Sequence, residues 1–481
     1  MPDAAVLPPS LAAVVLAAGK STRMRSRLPK VLHPVCGRPI LAHILHALTD
    51  AGVERRIAVI GHEAETVRAA METYFGAGQL EYAYQTEQKG TGHAVRMAES
   101  ALAGFTGTVL VLAGDTPLLS ADVLKTLLAE HASTGATATV LTAVLPDAGA
   151  YGRIIRDGKD GPVLGIVEAK DATLEQKRDI REINTGVFAF DAAALFTALR
   201  DLQPNNAQGE FYLTDVLGLL HDVGRTVGAV KSTDTDVILG VNTRVELAEI
   251  GAKMRARILR DLMLSGVTVE DPANTYVEAG VTVGQDTTLL PLTRLAGKTT
   301  VGAGCVLGPN ANITNSVVGD NVKARACFIE SATVGDGCKI GPFAHIRPGS
   351  RLEEGVRIGN FVEINRSTLG EKVAAGHLTY IGDATVGAGT NIGAGTITCN
   401  YDGYAKHKTV IGENAFIGTH STLVAPVTVG DRAFVAAASA ITEDVPPDAL
   451  AVARERQVIK PDWAQRRRAE KAIQSGSEPK P

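Results

Sequence analysis

Over roughly the first 240 residues, short aliphatic runs at 12–17, 57–60, 108–112 and 137–144 alternate with amphipathic segments at 40–51, 66–74 and 123–131. The runs read as strands buried on both faces and the segments as covering helices, a βαβα pattern around a buried parallel sheet. Ligands of such sheets sit beyond the carboxyl ends of the strands, so positions just after the first and fourth runs are the first places to look. Next, residues 245–264 carry Leu247, Ile250, Met254, Ile258 and Leu262 at three- and four-residue spacing, which predicts one helix about 30 Å long.

From Val281 to Ala440 the pattern changes to an aliphatic residue followed by glycine. The pairs begin at Val283, Val301, Leu307, Val334, Ile340, Ile358, Val386, Ile392, Ile411, Ile417 and Val429, mostly 6, 12 or 18 residues apart. Six residues make one face of a coil. The aliphatic side chain points into a narrow core, and glycine serves where a Cβ is crowded or φ is positive. Three such faces close a triangular turn, and about nine coils stacked at about 4.8 Å form a prism roughly 45 Å long. Beyond Asp462, Trp463 and Arg466, Arg467 and Arg468 precede a polar tail, which predicts a short surface helix and a disordered tip.

Composition narrows the function classes. A chain of 481 residues, 45% hydrophobic and 21% charged, has material for two or three packed domains and is not a largely disordered polymer. A net charge of -4 supplies no basic field for a nucleic acid, whereas a small anionic ligand needs only a local basic pocket. The opening stretch has an early acid and reads as a strand rather than a secretion signal, and no run approaches the roughly 20 apolar residues of a membrane span. A cytoplasmic protein with no membrane partner is expected. Cys36, Cys305, Cys327, Cys338 and Cys399 are scattered and odd in number, so reduced core thiols are expected. With 50 glycines and 4% aromatic residues, the chain suits tightly repeating β structure.

Two places carry chemistry. The first strand runs into LAAGKSTRM, with Pro29-Lys30 following; a glycine turn exposing N–H groups, beside Arg23 and Lys30, can cradle phosphates. Taken alone, that turn also fits an ordinary tight turn, because it matches neither G-x-x-x-x-G-K-[ST] nor G-x-G-x-x-G. Asp115, at the end of the strand TVLVLAG, can hold a divalent cation on phosphate oxygens or can simply cap the turn before Pro117. In the repeat region, HIRPG, GHLTY and TCNYDGY break the six-residue rhythm with polar or aromatic groups, and His377 there can be either a structural residue or a base.

Taken together, LAAGKSTRM…LPKVLH, QTEQKGTGHA, GDTPL, YGRI, GIVEAKDA, EINTG and NNAQGEFYLTD resemble the bifunctional N-acetylglucosamine-1-phosphate uridyltransferase and glucosamine-1-phosphate acetyltransferase family, over about 11–457. The resemblance implies an α/β Rossmann-like nucleotidyltransferase domain (1–242), a linker helix (243–265), a left-handed parallel β-helix of hexapeptide repeats (266–455) and a C-terminal helix and tail (456–481). It implies UDP-sugar contacts at Leu16, Ala17, Ala18, Gly19, Lys30, Gln85, Gly90, Thr91, Gly152, Glu168, Asn184 and Asn242. Mg²⁺ would be held by Asp115 and Asn242, and Lys30 and Arg23 would stabilise charge as the sugar phosphate attacks UTP. For acetyl transfer it implies His377 as general base, glucosamine 1-phosphate at Arg347, Asn365, Tyr380 and Asn391, and acetyl-CoA along Ala394, Asn400, Tyr401, Thr419, Ala437 and Arg454. A homotrimer and a product destined for envelope polysaccharides also follow from the resemblance.

The chain departs from the family pattern twice. Ser21 stands where a second loop glycine is usual, and modest damage is expected from it. Asn365 stands where a lysine usually contacts the sugar phosphate, followed at once by Arg366. Neighbours on a strand point to opposite faces, so Arg366 substitutes only if the coil turns there, and weakened sugar-phosphate binding is the expectation. Two functions therefore stand: a two-headed enzyme, or a uridylyltransferase whose β-helix is a trimerisation scaffold.

Overall fold

The computed structural model describes residues 10–20, 22–158 and 161–475. Ser21 and the tail beyond Ser475 lie outside the described residues. Two compact units are present: one comprises Met1–Arg260 with Val277–Ala279, the other Asp261–Tyr276 and Gly280–Pro481.

The first unit is built on a nine-stranded sheet. Its strands are β1 (Leu11–Ala17), β2 (Arg55–Ile60), β3 (Glu81–Tyr84), β4 (Thr108–Ala113), β5 (Ala138–Val144), β6 (Arg153–Arg156), β7 (Val163–Val167), β8 (Glu182–Asp191) and β9 (Val227–Lys231). The main order is β9-β5-β8-β4-β1-β2-β3. In β1, Ala12 and Val14 join one core, while Ala13, Val15 and Ala17 join the other. The second core also holds Leu41, Ile44 and Leu48 of α1 (Ile40–Asp50) and Val67 and Met71 of α2 (Ala64–Phe75). Burying each such aliphatic side chain is worth about 1.5–3 kcal/mol, which is why the central strands carry no alternating polar face.

The sheet has the expected parallel core, with β1 parallel to β2 and β4, β2 to β3, and β5 to β9, but it also carries antiparallel strands. β8 runs antiparallel between β4 and β5, and β6 and β7 form an antiparallel pair beside it. The cause lies at the end of β5: Leu145 N–H donates to the Arg181 carbonyl, so the chain leaves and re-enters the sheet at the same end and must run back. The 21-residue helix Arg244–Leu264 buries Ile250 against Met24, Val35, Ile40, Leu118 and Val241, with Leu247 and Met254 packed alongside. Leu259 is buried, whereas Ile258 and Leu262, assigned to the apolar stripe, are only half-buried.

The second unit is a three-sided parallel β-helix whose faces contain eleven, ten and nine strands. Coils extend beyond the 281–440 window, to Thr268–Val269 at one end and Leu450–Ala451 at the other, which accounts for more coils than the glycine pattern counted. Thr282 lies beside Thr300 and Leu289 beside Leu307, a repeat of one eighteen-residue coil. The glycines act mainly through close approach: a Cβ on Gly284 would meet Ala303 N at 2.6 Å, in the coil above. Left-handed corners are shared between other glycines, such as Gly304 and Gly389, and non-glycine residues such as Asn310, Phe343, Arg366 and Asp383. Cys305, Cys327 and Cys338 are buried free thiols as expected, but Cys36 and Cys399 are only half-buried. The C-terminal helix Trp463–Ser475 is exposed apart from Ala472. Among the described residues, no helix is long and apolar enough to cross a membrane.

Candidate active sites

The first site forms where β1 and β4, paired in parallel with Leu16 beside Ala113, reach their carboxyl ends together. Gly114 N–H donates to the Leu16 carbonyl at 2.8 Å, setting Asp115 beside the Ala18-Gly19 turn. Asp115 lies after the third of the runs read from sequence, not the fourth; the fourth, β5, ends at an exposed Val144. The Asp115 carbonyl accepts from Val241 N–H at 2.9 Å and so draws in Asn242. Asn242 is itself fixed at the start of the long helix, where the Glu246 carboxylate accepts from the backbone N–H groups of Asn242 and Thr243 at 2.7 and 2.8 Å.

Into this junction Lys30 delivers its ammonium, from the short 3-10 turn Lys30–Leu32. Lys30 Nζ lies 2.5 Å from Asp115 Oδ2 and 3.1 Å from Asn242 Oδ1, and Arg23 donates to the same Asn242 oxygen at 3.0 Å. Two side-chain oxygens thus converge on one positive centre. That donor set suits Mg²⁺, an oxygen-seeking ion that keeps several waters and takes its remaining ligands from substrate phosphates. A cavity of about 540 Å³ adjoins it, lined by Asp115, Asn242, Tyr151, Thr185 and Glu246 among others.

Further along the same end of the sheet, Gln85 follows β3, buried, with Nε2 bonded to the Gly90 carbonyl and His93 Nδ1, both at 3.1 Å. Gly90 has φ +106°, and a Cβ there would stand 2.5 Å from the Phe211 carbonyl oxygen, so only glycine fits. The Thr91 hydroxyl accepts from Leu213 N–H at 3.0 Å. Gly152, Glu168 and Asn184 form a third group. Asn184 N–H donates to the Gly152 carbonyl at 2.9 Å, and a Cβ on Gly152 would crowd the Glu168 carboxylate at 3.2 Å. A bulge in β8 between Asn184 and Phe188 re-aims Asn184, whose side-chain oxygen accepts from Gly186 N–H at 2.8 Å.

Two residues without an assigned role complete this group. The Thr214 hydroxyl donates to Glu168 Oε1 at 3.1 Å. Burial raises the Glu168 pKa, with Asp171 adding to the effect, and burial together with Glu168 and Asp171 pushes Asp215 up to about 6. The string YLTD contains both residues, but nothing local in it shows that they face Glu168.

On the second unit, His377 ends the strand Ala374–His377 and is exposed. Backbone bonds from Gly395 N–H to Leu378, His420 N–H to Ala394 and Ala438 N–H to Thr419 stack one corner coil upon coil. His377, Ala394, Thr419 and Ala437 therefore form a column along one edge, a span of roughly 14 Å at about 4.8 Å per coil. Asn391 shares the face of His377, with its strand beside Ala374. At the other end of the Tyr380–Gly382 strand, Asn365 and Asn400 are buried and both donate to the Tyr380 hydroxyl, at 3.2 and 3.5 Å. Arg347 donates to Glu363 at 2.7 Å, and Tyr401 and Arg454 are exposed. The coil does turn at Arg366, with φ +47°, yet its guanidinium is bonded to Asp383 through two nitrogens at 2.8 Å each.

A two-faced α/β sheet with cations and carboxamide at its strand ends, followed by a hexapeptide prism with an exposed histidine column, defines a nucleotidyltransferase fused to a hexapeptide transferase. Residues 13–155 match the MobA-like NTP transferase domain, 331–366 the bacterial transferase hexapeptide (six repeats) and 408–443 the hexapeptide repeat of succinyl-transferase. The second unit is a left-handed parallel β-helix of hexapeptide repeats. The chain is 49% identical over 451 residues to the bifunctional protein GlmU of Exiguobacterium sibiricum, covering 94% of this chain and 99% of that protein. Identity to the GlmU of Geobacillus thermodenitrificans is 49% (95% and 98% covered), and to that of Heliobacterium modesticaldum 50% (95% and 98%). The chain belongs to the GlmU family of bifunctional proteins.

Proposed function

We propose that the chain acetylates glucosamine 1-phosphate with acetyl-CoA on the prism and uridylylates the product with UTP on the α/β unit, releasing UDP-N-acetylglucosamine and pyrophosphate. The observation that carries the reading is the convergence of Lys30, Arg23, Asp115 and Asn242 at the carboxyl ends of β1 and β4. A phosphate oxygen of the sugar phosphate attacks the α-phosphorus of UTP, a new P–O bond forms, and the bond to the pyrophosphate bridging oxygen breaks. Lys30 and Arg23 stabilise the negative charge that builds up on the phosphate oxygens. Asp115 and Asn242 would hold Mg²⁺, which when bound neutralises charge on the phosphates. Gln85 with the Gly90-Thr91 backbone reads the uracil edge, the Leu16 to Gly19 segment lies along the nucleotide, and Gly152, Glu168 and Asn184 hold the sugar.

On the prism, His377 removes a proton from the substrate ammonium, and the freed nitrogen attacks the acetyl thioester. The C–N bond forms as the C–S bond breaks, and the second proton that the nitrogen sheds on becoming an amide passes to the departing thiolate. Arg347, Tyr380 and Asn391 hold the sugar phosphate, with Asn365 beside them, and the column of Ala394, Thr419 and Ala437, with Asn400, Tyr401 and Arg454, carries CoA. The reading includes a cytoplasmic location, no nucleic-acid partner, use of the product for envelope polysaccharides, and functional domains at 1–242, 243–265, 266–455 and 456–481.

A homotrimer is part of the reading, because flat prism faces bury area in a cyclic arrangement. Light scattering tests it: a trimer mass is expected, and a monomer mass with full thiol release would refute the trimer. Pyrophosphate release from UTP and N-acetylglucosamine 1-phosphate tests the first activity, and thiol release from acetyl-CoA tests the second.

A further inference from the structure

Along one edge of the prism three residues stand on successive coils: Arg366, Asp383 and Asn400. Arg366 and Asp383 occupy equivalent left-handed corners, at φ +47° and +50°, joined below by the bond from Asp383 N–H to the Asn365 carbonyl at 3.0 Å. At the third coil the corner is opened by the loop that follows Asn400, which is closed at its base by His407 N–H donating to the Asn400 carbonyl at 2.8 Å. The Asn400 side chain fills the gap and donates from Nδ2 to the Asp383 carboxylate. The Arg366 guanidinium beside Asp383, helped by Asn400, holds that carboxyl below the usual range, so it is ionised at neutral pH.

An ionised carboxylate only accepts hydrogen bonds, so Asp383 determines which end of the Asn400 amide turns inward: the NH₂ end. That same Nδ2 reaches the Tyr380 hydroxyl, which also accepts from Asn365 Nδ2. A hydroxyl has two lone pairs and one proton; with both lone pairs engaged by amides, its proton is left to be donated outward.

We propose that Asp383 is a positioning residue of the acetyl site: by fixing Arg366 and the Asn400 amide, it orients the Tyr380 O–H toward the sugar phosphate and holds Asn400 for the acyl donor. Arg366 is thereby a partner of Asp383 and not a replacement phosphate ligand for the missing lysine. This rests on the acetyltransferase reading above.

The test is steady-state thiol release by the full-length protein, varying each substrate in turn. Asp383→Asn turns an acceptor-only group into an amide, frees Asn400 to flip and releases Arg366. The Michaelis constants for glucosamine 1-phosphate and acetyl-CoA are both expected to rise about tenfold with kcat changed by less than about threefold. Asp383→Glu, which keeps the carboxylate, is expected to recover part of the loss. Arg366→Gln retains the Asp383 to Asn400 bond and is expected to shift both constants by less than about threefold. Pyrophosphate release and the melting curve report folding in every variant. Both constants unchanged in Asp383→Asn would overturn the proposal, as would a fall in the constant for glucosamine 1-phosphate. So would a tenfold rise in that constant alone in Arg366→Gln, which would make Arg366 the phosphate clamp. Absence of thiol release from the unaltered protein would instead sink the acetyltransferase reading, and the proposal with it.

Discussion

Replacing Asp115 by asparagine changes one charge and almost no volume at the centre of the first site. The Asp115 carboxylate lies 2.5 Å from Lys30 Nζ, with the side chains only 24% and 15% exposed, so solvent screens the pair far less than a surface ion pair. A charge-assisted hydrogen bond of this kind is worth about 1.5–3 kcal/mol, whereas the amide oxygen that replaces it retains a neutral-acceptor bond of about 1 kcal/mol. The difference, about 0.5–2 kcal/mol, is the expected loss of stability and a modest one. The loss of rate is expected to be larger, because under the proposed function the same charge would anchor the cation on the phosphates; at least tenfold, or about 1.4 kcal/mol, is the lower bound. The assay is pyrophosphate release from UTP and N-acetylglucosamine 1-phosphate across a Mg²⁺ titration. Half-saturation is expected to move to higher Mg²⁺, while thiol release, carried by residues 347–454 of the other unit, stays at the wild-type rate. Wild-type pyrophosphate release at every Mg²⁺ concentration would remove Asp115 from the site and refute the reasoning.

Three further outcomes are expected. His377→Ala abolishes thiol release while pyrophosphate formation from acetylated substrate persists; residual thiol release within tenfold of wild type would strip His377 of its role as base. Asn365→Lys keeps a donor beside the Tyr380 hydroxyl and adds a charge near the sugar phosphate, so the Michaelis constant for glucosamine 1-phosphate falls about tenfold or more, the worth of a charged contact; an unchanged constant would show that no charge is missing there. Asp215 has a folded pKa of about 6 against an unfolded value of 3.8, so its protonated form is favoured in the fold and its stabilising contribution is lost as pH rises through 6. Asp215→Asn therefore melts above wild type at pH 8, with the gap closing toward pH 4; a gap independent of pH would contradict the shift.

The prism was the most legible part of the chain, because aliphatic-glycine pairs at multiples of six map directly onto inward-facing positions and close coil contacts. Even so, most glycines of the aliphatic-glycine pairs serve coil-to-coil approach, while Phe343, Arg366 and Asp383 share the left-handed corners with other glycines. Corner geometry depends on the stack above and below, which a single repeat does not show. In the first unit, hydrophobic runs located β1, β2, β4 and β5, but the direction of β8 was hidden. It is set by the pairing of Leu145 with Arg181, 36 positions apart, and not by any property of EINTGVFAFD. Motif strings brought Lys30 and Asp115 into view and the family resemblance added Asn242, and the fold sets Asp115 and Asn242 within hydrogen-bonding reach of the Lys30 ammonium. Thr214, Asp215 and Asp383 escaped notice because each acts through a neighbour distant in sequence. The sequence around Arg366 suggests only a substitute for lysine, since nothing local places a carboxylate seventeen residues on beside its guanidinium.

The central claim, two chemistries on one chain, is tested most directly by incubating the purified protein with glucosamine 1-phosphate, acetyl-CoA and Mg²⁺, following thiol release, then adding UTP and following pyrophosphate. Thiol release before UTP is added, and pyrophosphate release after it with formation of UDP-N-acetylglucosamine, is the expected result. No thiol release, together with pyrophosphate formation only when N-acetylglucosamine 1-phosphate is supplied ready-made, would contradict the claim and leave the prism as a scaffold.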